Sequence, residues 1–213
     1  MADAVVLAGG FSTRFGEDDK AVARLDGSPL ISHVVDSVSD VETVETVIIN
    51  TRPGQTSEVS ESLRSDSVVD DTCIEFAEDD EPGLGPVGGV ITGMGKAESE
   101  YVVVVACDMP LLSSGLVDYV LDLAQQTGDD AVVPSVDGWL QTTHAVYRRS
   151  PTLEACEAAF SESTSEGEAS MRRVLEILDY TAVDEETVLE HASEESFVNV
   201  NTRSDLEKVE DFF

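Results

Sequence analysis

The sequence predicts an α/β fold, in which one three-layer domain over residues 1–213 holds a mainly parallel sheet between two layers of helices. Two observations carry this prediction. Apolar runs of strand length recur along the chain, and segments with apolar residues at helical spacing lie between them. Strands that alternate with helices favour a parallel sheet covered on both faces. With 213 residues, of which 41% are hydrophobic, the chain can bury a substantial core.

The strands are identified by their apolar runs. Residues 4–8 form the first strand, which is followed at once by Gly9 and Gly10. Further strands are expected at residues 44–50, 72–77 and 101–106, and another begins within residues 131–134. Residues 102–105 are consecutive valines, a pattern typical of a strand buried on both faces.

The helices are identified by spacing and by their end signals. Ser28 is expected to cap the first helix, with Pro29 at its first position. A glycine-rich helix should begin at residues 85–86, and a later helix should begin at residues 113–114 and extend to residue 126. Ser204 and Glu207 have the spacing of a capping box for the last helix.

Polar residues follow the predicted strands. Gly9 and Gly10 follow the first strand, Asn50 ends the second, Asp79 lies just beyond the third, and Asp108 follows the fourth. Parallel strands end at the same edge of a sheet, and ligands of such sheets bind beyond that edge. The sequence therefore predicts one site built from these separate segments.

The turn after the first strand is the most informative feature of the chain. It carries glycines at positions 9, 10 and 16 together with the cations Arg14 and Lys20. Glycine lets the backbone approach a ligand closely, so that successive N–H groups can point at phosphate oxygens. The spacing excludes a P-loop and a dinucleotide fingerprint, because neither pattern is present. We therefore expect a nucleoside triphosphate site.

The predicted triphosphate site is rich in cations, whereas the rest of the chain is strongly acidic. The chain has 44 acidic residues against 12 lysines and arginines, a net charge of −32. Such an excess is typical of proteins from a salt-rich cytoplasm, where screening suppresses self-repulsion, so we expect a halophilic source. It argues against nucleic acid and anionic membranes as partners. Arg14, Lys20 and Arg24 nevertheless lie close together in the sequence, where a triphosphate would bind.

Asp108 is the candidate metal ligand. A carboxylate at the sheet edge would repel a triphosphate unless a cation lay between them, and Mg²⁺ is commonly held by one or two carboxylates together with substrate phosphates. We therefore expect Mg²⁺ as the cofactor. A helix-capping role for Asp108 is the alternative.

The segment from Leu7 to Lys20 resembles the signature L-A-G-G-x-S-x-R-x-G-x-D-K of sugar-phosphate-type nucleotidyltransferases, and within these the molybdenum cofactor guanylyltransferase (MobA-like) family. Two departures stand out: Phe15 replaces the usual methionine, and one extra residue precedes Lys20. The sequence C-D-x-P-L at residues 107–111 resembles the metal-binding motif of the family, and residues 199–202 match its N-x-N-T motif.

The resemblance implies a Rossmann-like sheet of the nucleotidyltransferase type, with residues 1–111 as the nucleotide-binding half and residues 112–213 as the acceptor-binding half. It implies transfer of GMP from GTP to the phosphate of molybdopterin. Arg14, Lys20 and Asp108 would be catalytic, and Asp108 would bind the metal. The implied nucleotide-binding residues are Leu7, Ala8, Gly9, Gly10, Ser12, Lys20, Asn50, Asp79 and Asp108. Asn199 and Asn201 would face the acceptor, with a metal role for Asn201 left open.

Several alternatives remain open on the sequence alone. A sister enzyme would transfer cytidylyl to molybdopterin, or guanylyl to cobinamide phosphate or phospholactate, and a catalytically silent nucleotide-binding protein would deliver the cofactor. Asn50, Asp79, Asn199 and Asn201 could also serve the fold alone. Three cysteines without metal or redox spacing favour reduced thiols in the cytoplasm. The resemblance also implies contact with proteins of molybdenum cofactor biosynthesis or insertion.

Overall fold

The computed structural model describes residues 1–10, 15, 19–65, 73–81, 83, 85–162 and 169–213. The strands are β1 (Ala2–Leu7), β2 (Arg24–Leu25), β3 (Ser28–Pro29), β4 (Val44–Thr51), β5 (Cys73–Glu78), β6 (Tyr101–Ala106), β7 (Ala131–Val136), β8 (Trp139–Leu140), β9 (His144–Arg148) and β10 (Tyr180–Val183). The helices are α1 (Leu30–Ser39), α2 (Thr56–Arg64), α3 (Gly85–Lys96), α4 (Ser114–Thr127), α5 (Arg149–Glu162), α6 (Met171–Leu175), α7 (Glu185–His191) and α8 (Arg203–Val209).

The main sheet has the order β10-β7-β9-β6-β1-β4-β5, with β8 paired to β7. Pairing is parallel from β6 through β1 and β4 to β5, and also between β10 and β7. The antiparallel β9 joins the two parallel parts by pairing with β6 and β7. The prediction of a mainly parallel α/β sheet is confirmed, and β9 makes it a mixed sheet.

Helices cover both faces of the sheet and give three layers. One core contains apolar residues of α1, α2, α4 and α7, and the other contains apolar residues of α3, α5 and α6. Along β1, Ala4 and Val6 belong to the first core and Val5 to the second, because successive side chains of a strand point to opposite faces. This explains the continuous apolar runs of the central strands.

Two predicted helix ends differ in the structure. Ser28 pairs with Leu25 in the β2–β3 hairpin, so α1 begins after Pro29 and lacks a side-chain cap. The left-handed backbone of Asp26 and Gly27 forms the hairpin turn, which places Ser28 in a strand. At the last helix, Thr202 and Asp205 form the capping box, in place of Ser204 and Glu207. The sequence offers this spacing twice, and local pattern alone does not choose between the two.

Register brings the predicted site segments together. Leu7 is paired with Asn50 on one side and with Ala106 on the other, and Asn50 is paired with Ala77. The carboxyl ends of β1, β4, β5 and β6 therefore lie side by side at one edge. Within the described residues, no helix has the length and apolar character needed to cross a bilayer.

Candidate functional site

A cleft of about 370 Å³ opens at this edge of the sheet. Most of the predicted nucleotide-binding residues line it or the adjoining smaller cavity of about 120 Å³. The lining residues that the sequence predicted are Leu7, Gly9, Gly10, Asn50, Asp79, Asp108 and Asn199 in the cleft, and Ala8 and Lys20 in the smaller cavity. The tertiary structure thus places segments from residue 7 to residue 199 around one space.

Asn50 and Asp79 form a buried polar pair at the cleft. The Asn50 amide nitrogen donates to Oδ1 of Asp79 at 2.7 Å and to the carbonyl of Ala77 at 3.3 Å. Both side chains are buried, and the pair is held by the ends of β4 and β5. The two residues line the cleft, and their hydrogen bonds fix the Asn50 side chain against Asp79.

Glycines make room for this pair. A Cβ on Gly9 would lie 3.1 Å from Oδ1 of Asn50 and 3.1 Å from Oδ2 of Asp79. A Cβ on Gly89, within α3, would lie 2.5 Å from Oδ1 of Asn50, closer than atoms can approach without a shift. Glycine in a helix costs about 1 kcal/mol relative to alanine. At position 89 the close approach of helix and strand accounts for that cost.

Lys20, Asp108 and Asn201 meet at the other side of the site. The Lys20 ammonium donates to Oδ2 of Asp108 at 2.7 Å and to Oδ1 of Asn201 at 3.3 Å. Lys20 belongs to a 3₁₀ turn, Asp108 follows β6, and Asn201 precedes α8. The predicted phosphate cation, metal ligand and acceptor residue are therefore in contact, although they are far apart in the sequence.

The segment of Asn199 and Asn201 is fixed to Asp108 by the backbone. The N–H of Val200, which is fully buried, donates to the carbonyl of Asp108 at 2.8 Å. Asn199 lines the cleft and donates from its amide to the carbonyl of Phe197 at 3.2 Å. Both asparagines are thus at the site, and Asn201 lies nearer to the lysine and carboxylate pair.

The donor set at Asp108 fits a divalent cation. Oδ1 of Asp108 is buried and has no hydrogen-bond partner among the described residues, while Oδ2 accepts from Lys20. A buried carboxylate oxygen without a donor is costly unless a cation approaches it. Mg²⁺ is usually bound through one or two carboxylates together with substrate phosphates and waters, and Asp108 supplies one such carboxylate.

Burial keeps two further titratable groups near the site, Cys107 and His144, uncharged. Burial raises the pKa of the Cys107 thiol to about 12, with the neighbouring Asp108 carboxylate adding to the effect. The protonated thiol is a poor nucleophile. Burial lowers the pKa of His144 to about 4, so this histidine is neutral near pH 7. Neither group is suited to act as a nucleophile or as an acid at neutral pH.

Two predicted residues, Ser12 and Arg14, lie outside the described residues. Sequence reasoning missed Thr143, which lines the cleft just before β9, and also Asp19, Arg52 and Gln55 beside the glycine turn. Asp19 was part of the recognised motif but had no assigned role. Arg52 follows the second predicted strand by two residues, and a cation at that strand end was the available signal.

Comparisons with known proteins identify the family of this chain. A family model described as "MobA-like NTP transferase domain" matches residues 4–195. The chain is 35% identical over 204 residues to a Natronomonas pharaonis protein named "Probable molybdenum cofactor guanylyltransferase", covering 96% of this chain and 94% of that protein. It is 33% identical over 202 residues to "Molybdenum cofactor guanylyltransferase" of Shewanella baltica, covering 94% and 91% respectively.

A solved structure has the same fold. It is titled molybdopterin-guanine dinucleotide biosynthesis protein A, from Archaeoglobus fulgidus, and it superimposes with a TM-score of 0.77. The match covers 99% of this chain and 97% of that one at 24% sequence identity. At that identity the likeness supports the fold, and the sequence relatives carry the family assignment.

Proposed function

The chain belongs to the family of MobA-like NTP transferase domains, and from that premise we propose that it transfers the GMP moiety of GTP to the phosphate of molybdopterin. Pyrophosphate is released, and the product is a guanine dinucleotide cofactor. The contact of Lys20 with Asp108 beside the Gly9–Gly10 turn carries the proposal. The names of the sequence relatives support the choice of nucleotide and acceptor.

The Asn50 and Asp79 pair supports guanine as the base. An ionised carboxylate only accepts hydrogen bonds, and guanine presents two adjacent donors, N1–H and the 2-amino group, on one edge. Adenine and cytosine present a donor beside an acceptor there, and the acceptor would face the carboxylate oxygens. The amide of Asn50 orients Asp79 by donating to its Oδ1 at 2.7 Å. We therefore assign Asp79 to the base and Asn50 to its orientation.

The protein contributes to the transfer by aligning the acceptor phosphate with GTP and by stabilising the phosphate charge. A phosphate oxygen of the acceptor attacks the α-phosphorus of GTP, and the bond from that phosphorus to the oxygen of the β-phosphate breaks. The acceptor phosphate is ionised near neutral pH, so it needs no general base. Lys20 and backbone N–H groups of the glycine turn hold the phosphates. We assign Arg14 to the charge that develops in the transition state.

Asp108, through Oδ1, and the amide oxygen of Asn201 are the residues that would hold Mg²⁺. When bound, Mg²⁺ neutralises phosphate charge and favours departure of pyrophosphate. Lys20 already contacts both residues. These contacts support our placing the cation site beside the phosphates.

The proposal is tested by pyrophosphate release from purified protein in molar KCl with Mg²⁺ and molybdopterin, comparing GTP with CTP, ATP and UTP. Of the four nucleotides, only GTP is expected to release pyrophosphate. Mass spectrometry should detect the guanine dinucleotide product. A preference for CTP would indicate the sister cytidylyltransferase. GTP consumption only with cobinamide phosphate or phospholactate would identify another acceptor. Nucleotide binding without pyrophosphate release would favour the catalytically silent delivery protein.

We also propose that the protein works in the cytoplasm and contacts other proteins of molybdenum cofactor biosynthesis or insertion. Its cysteines support this location, because Cys73, Cys107 and Cys156 are free thiols. The proposed product supports the contacts, because a bound dinucleotide cofactor has to reach another protein.

A further inference from the structure

The carboxylate of Asp19 is buried beside the glycine turn and accepts from three groups. Its Oδ1 accepts from the backbone N–H of Ala21 at 3.0 Å. Its Oδ2 accepts from the Gln55 amide at 2.6 Å and lies 2.8 Å from the Arg52 guanidinium. Asp19, Arg52 and Gln55 are called the Asp19 cluster below. Its side chains come from two different segments, the 3₁₀ turn and the loop between β4 and α2.

The Asp19 cluster also contacts the backbone of the glycine turn. The Gln55 amide donates to the carbonyl of Ala8 at 3.2 Å, and Nη1 of Arg52 donates to the carbonyl of Gly10 at 3.5 Å. Lys20 follows Asp19 directly and reaches Asp108. The cluster therefore links the end of β1 to the turn that carries the phosphate-binding lysine.

The charge of Asp19 matters because its carboxylate lies beside the space where phosphates would bind. Asp19 lines the smaller cavity together with Lys20 and Asp108, where phosphates would bind under the proposed function. A carboxylate without a counter-charge there would repel a triphosphate. Arg52 supplies the counter-charge at 2.8 Å, with side-chain exposures of 24% for Arg52 and 4% for Asp19. Buried and partly buried pairs are screened by salt much less than exposed ones. Potassium ions at high KCl therefore do not neutralise Asp19 in place of Arg52.

We propose that Asp19 and Arg52 are positioning residues of the nucleotide site. Asp19 fixes the turn from which Lys20 reaches Asp108, and Arg52 neutralises the Asp19 carboxylate so that it does not oppose the phosphates. This inference rests on the proposed nucleotidyl transfer. It assigns the two residues separate effects: Asp19 acts through the position of Lys20, and Arg52 acts on nucleotide affinity through charge.

The test compares Arg52→Gln, Arg52→Lys, Asp19→Asn and the double variant Asp19→Asn/Arg52→Gln. Arg52→Gln should raise the KM for GTP at least about tenfold, which corresponds to about 1.4 kcal/mol, because it leaves the carboxylate uncompensated. Arg52→Lys keeps the charge and should recover part of that loss. Asp19→Asn should lower kcat, and it should raise the KM for GTP less than Arg52→Gln does, because Lys20 loses part of its support while the opposing carboxylate charge is removed. The double variant should bind GTP more tightly than Arg52→Gln alone.

Arg148 and Glu100 provide the matched control pair. Their ion pair has a similar length, 2.7 Å, but the side chains are 42% and 63% exposed, and the pair lies at the start of β6, away from the catalytic edge. Arg148→Gln and Glu100→Gln should leave KM and kcat unchanged. Melting temperature in molar KCl identifies any variant that has lost its fold.

Binding of tripolyphosphate with Mg²⁺ gives a second readout that needs neither base nor acceptor. Arg52→Gln should weaken it, and the double variant should restore it in part. A folded Arg52→Gln with wild-type affinity, or a double variant no better than Arg52→Gln, overturns the inference and leaves the Asp19 cluster a structural role. If the wild type binds tripolyphosphate but transfers no nucleotide, the proposed function fails, while the charge argument is still decided by these affinities.

Discussion

The ammonium of Lys20 lies 2.7 Å from Oδ2 of Asp108, with the two side chains 15% and 16% exposed. The other oxygen, Oδ1, is buried and accepts no hydrogen bond among the described residues. One oxygen of this carboxylate thus accepts from Lys20, and the other is the oxygen that we propose as the Mg²⁺ ligand. The pair joins the end of β6 to the turn after β1.

Replacing Asp108 by asparagine should lower pyrophosphate release by orders of magnitude, each tenfold loss corresponding to about 1.4 kcal/mol of transition-state stabilisation. The shape is kept, but the charge that would attract Mg²⁺ is lost. Pyrophosphate release against Mg²⁺ concentration is the measurement, with Asp118→Asn on the exposed side of α4 as the control. If Asp108→Asn keeps the wild-type magnesium curve, Asp108 is no metal ligand.

Replacing Lys20 by alanine should weaken GTP binding at least about tenfold, or about 1.4 kcal/mol. The variant removes a phosphate-binding cation and also leaves the Asp108 carboxylate without its partner, which adds repulsion. Isothermal titration in molar KCl measures the affinity. Lys208→Ala is the matched control, because that side chain is 72% exposed on α8 and should not affect binding. Equal affinities for the two variants would remove Lys20 from the nucleotide site.

Replacing Gly89 by alanine should raise the KM for GTP. The new Cβ would lie 2.5 Å from Oδ1 of Asn50, and the amide would have to move away from Asp79. Gly95→Ala in the same helix is the control, because nothing lies within 4 Å of its Cβ. Gly95→Ala should instead stabilise the protein by up to about 1 kcal/mol. An unchanged KM in Gly89→Ala would indicate that Asn50 takes no part in nucleotide binding.

His144 should make the protein less stable as the pH falls. Burial lowers its pKa to about 4 from 6.5, and neither ring nitrogen has a partner among the described residues. Between these pH values the unfolded chain binds a proton that the folded chain does not. The free energy of unfolding therefore falls from pH 6.5 towards pH 4, by roughly 3 kcal/mol.

The variant His144→Phe keeps a ring against Phe197, whose centroid lies 5.0 Å away, and should lose this part of the pH dependence. The control is His191→Phe, which keeps the stack on Tyr119. Denaturant unfolding at several pH values between 4 and 7 gives the slopes. A wild-type slope in His144→Phe would refute the assignment to His144.

Folding should require high salt. The protein has a net charge of −32, so its acidic side chains repel one another in dilute buffer. The screening length is about 8 Å at 0.15 M salt and becomes shorter as salt is added. Near-ultraviolet circular dichroism and thermal unfolding at low and at molar KCl test this. Molar sucrose at low salt is the control for non-ionic stabilisation. A fully cooperative fold in low-salt, metal-free buffer would contradict the halophilic interpretation.

Local sequence patterns determined the central strands of this protein. β6 matches the predicted residues, and α4 begins after Ser113 as expected, with its hydroxyl accepting from the N–H of Leu116. These elements are defined by strong signals, namely a run of valines and a side-chain cap. The same kind of signal failed at Ser28, where a left-handed turn at Asp26 and Gly27 places the serine in a hairpin.

The sequence also determined which residues end the strands, and parallel pairing requires those residues to share an edge. It could not determine their contacts. Lys20 meets Asp108 and Asn201, and Asp19 meets Arg52, because the turn after β1, the loop after β4 and the segment before α8 fold onto that edge. Such contacts depend on distances between segments far apart in the chain. Periodicity and motif spacing describe only neighbours along the sequence, so tertiary packing decided which charges became partners.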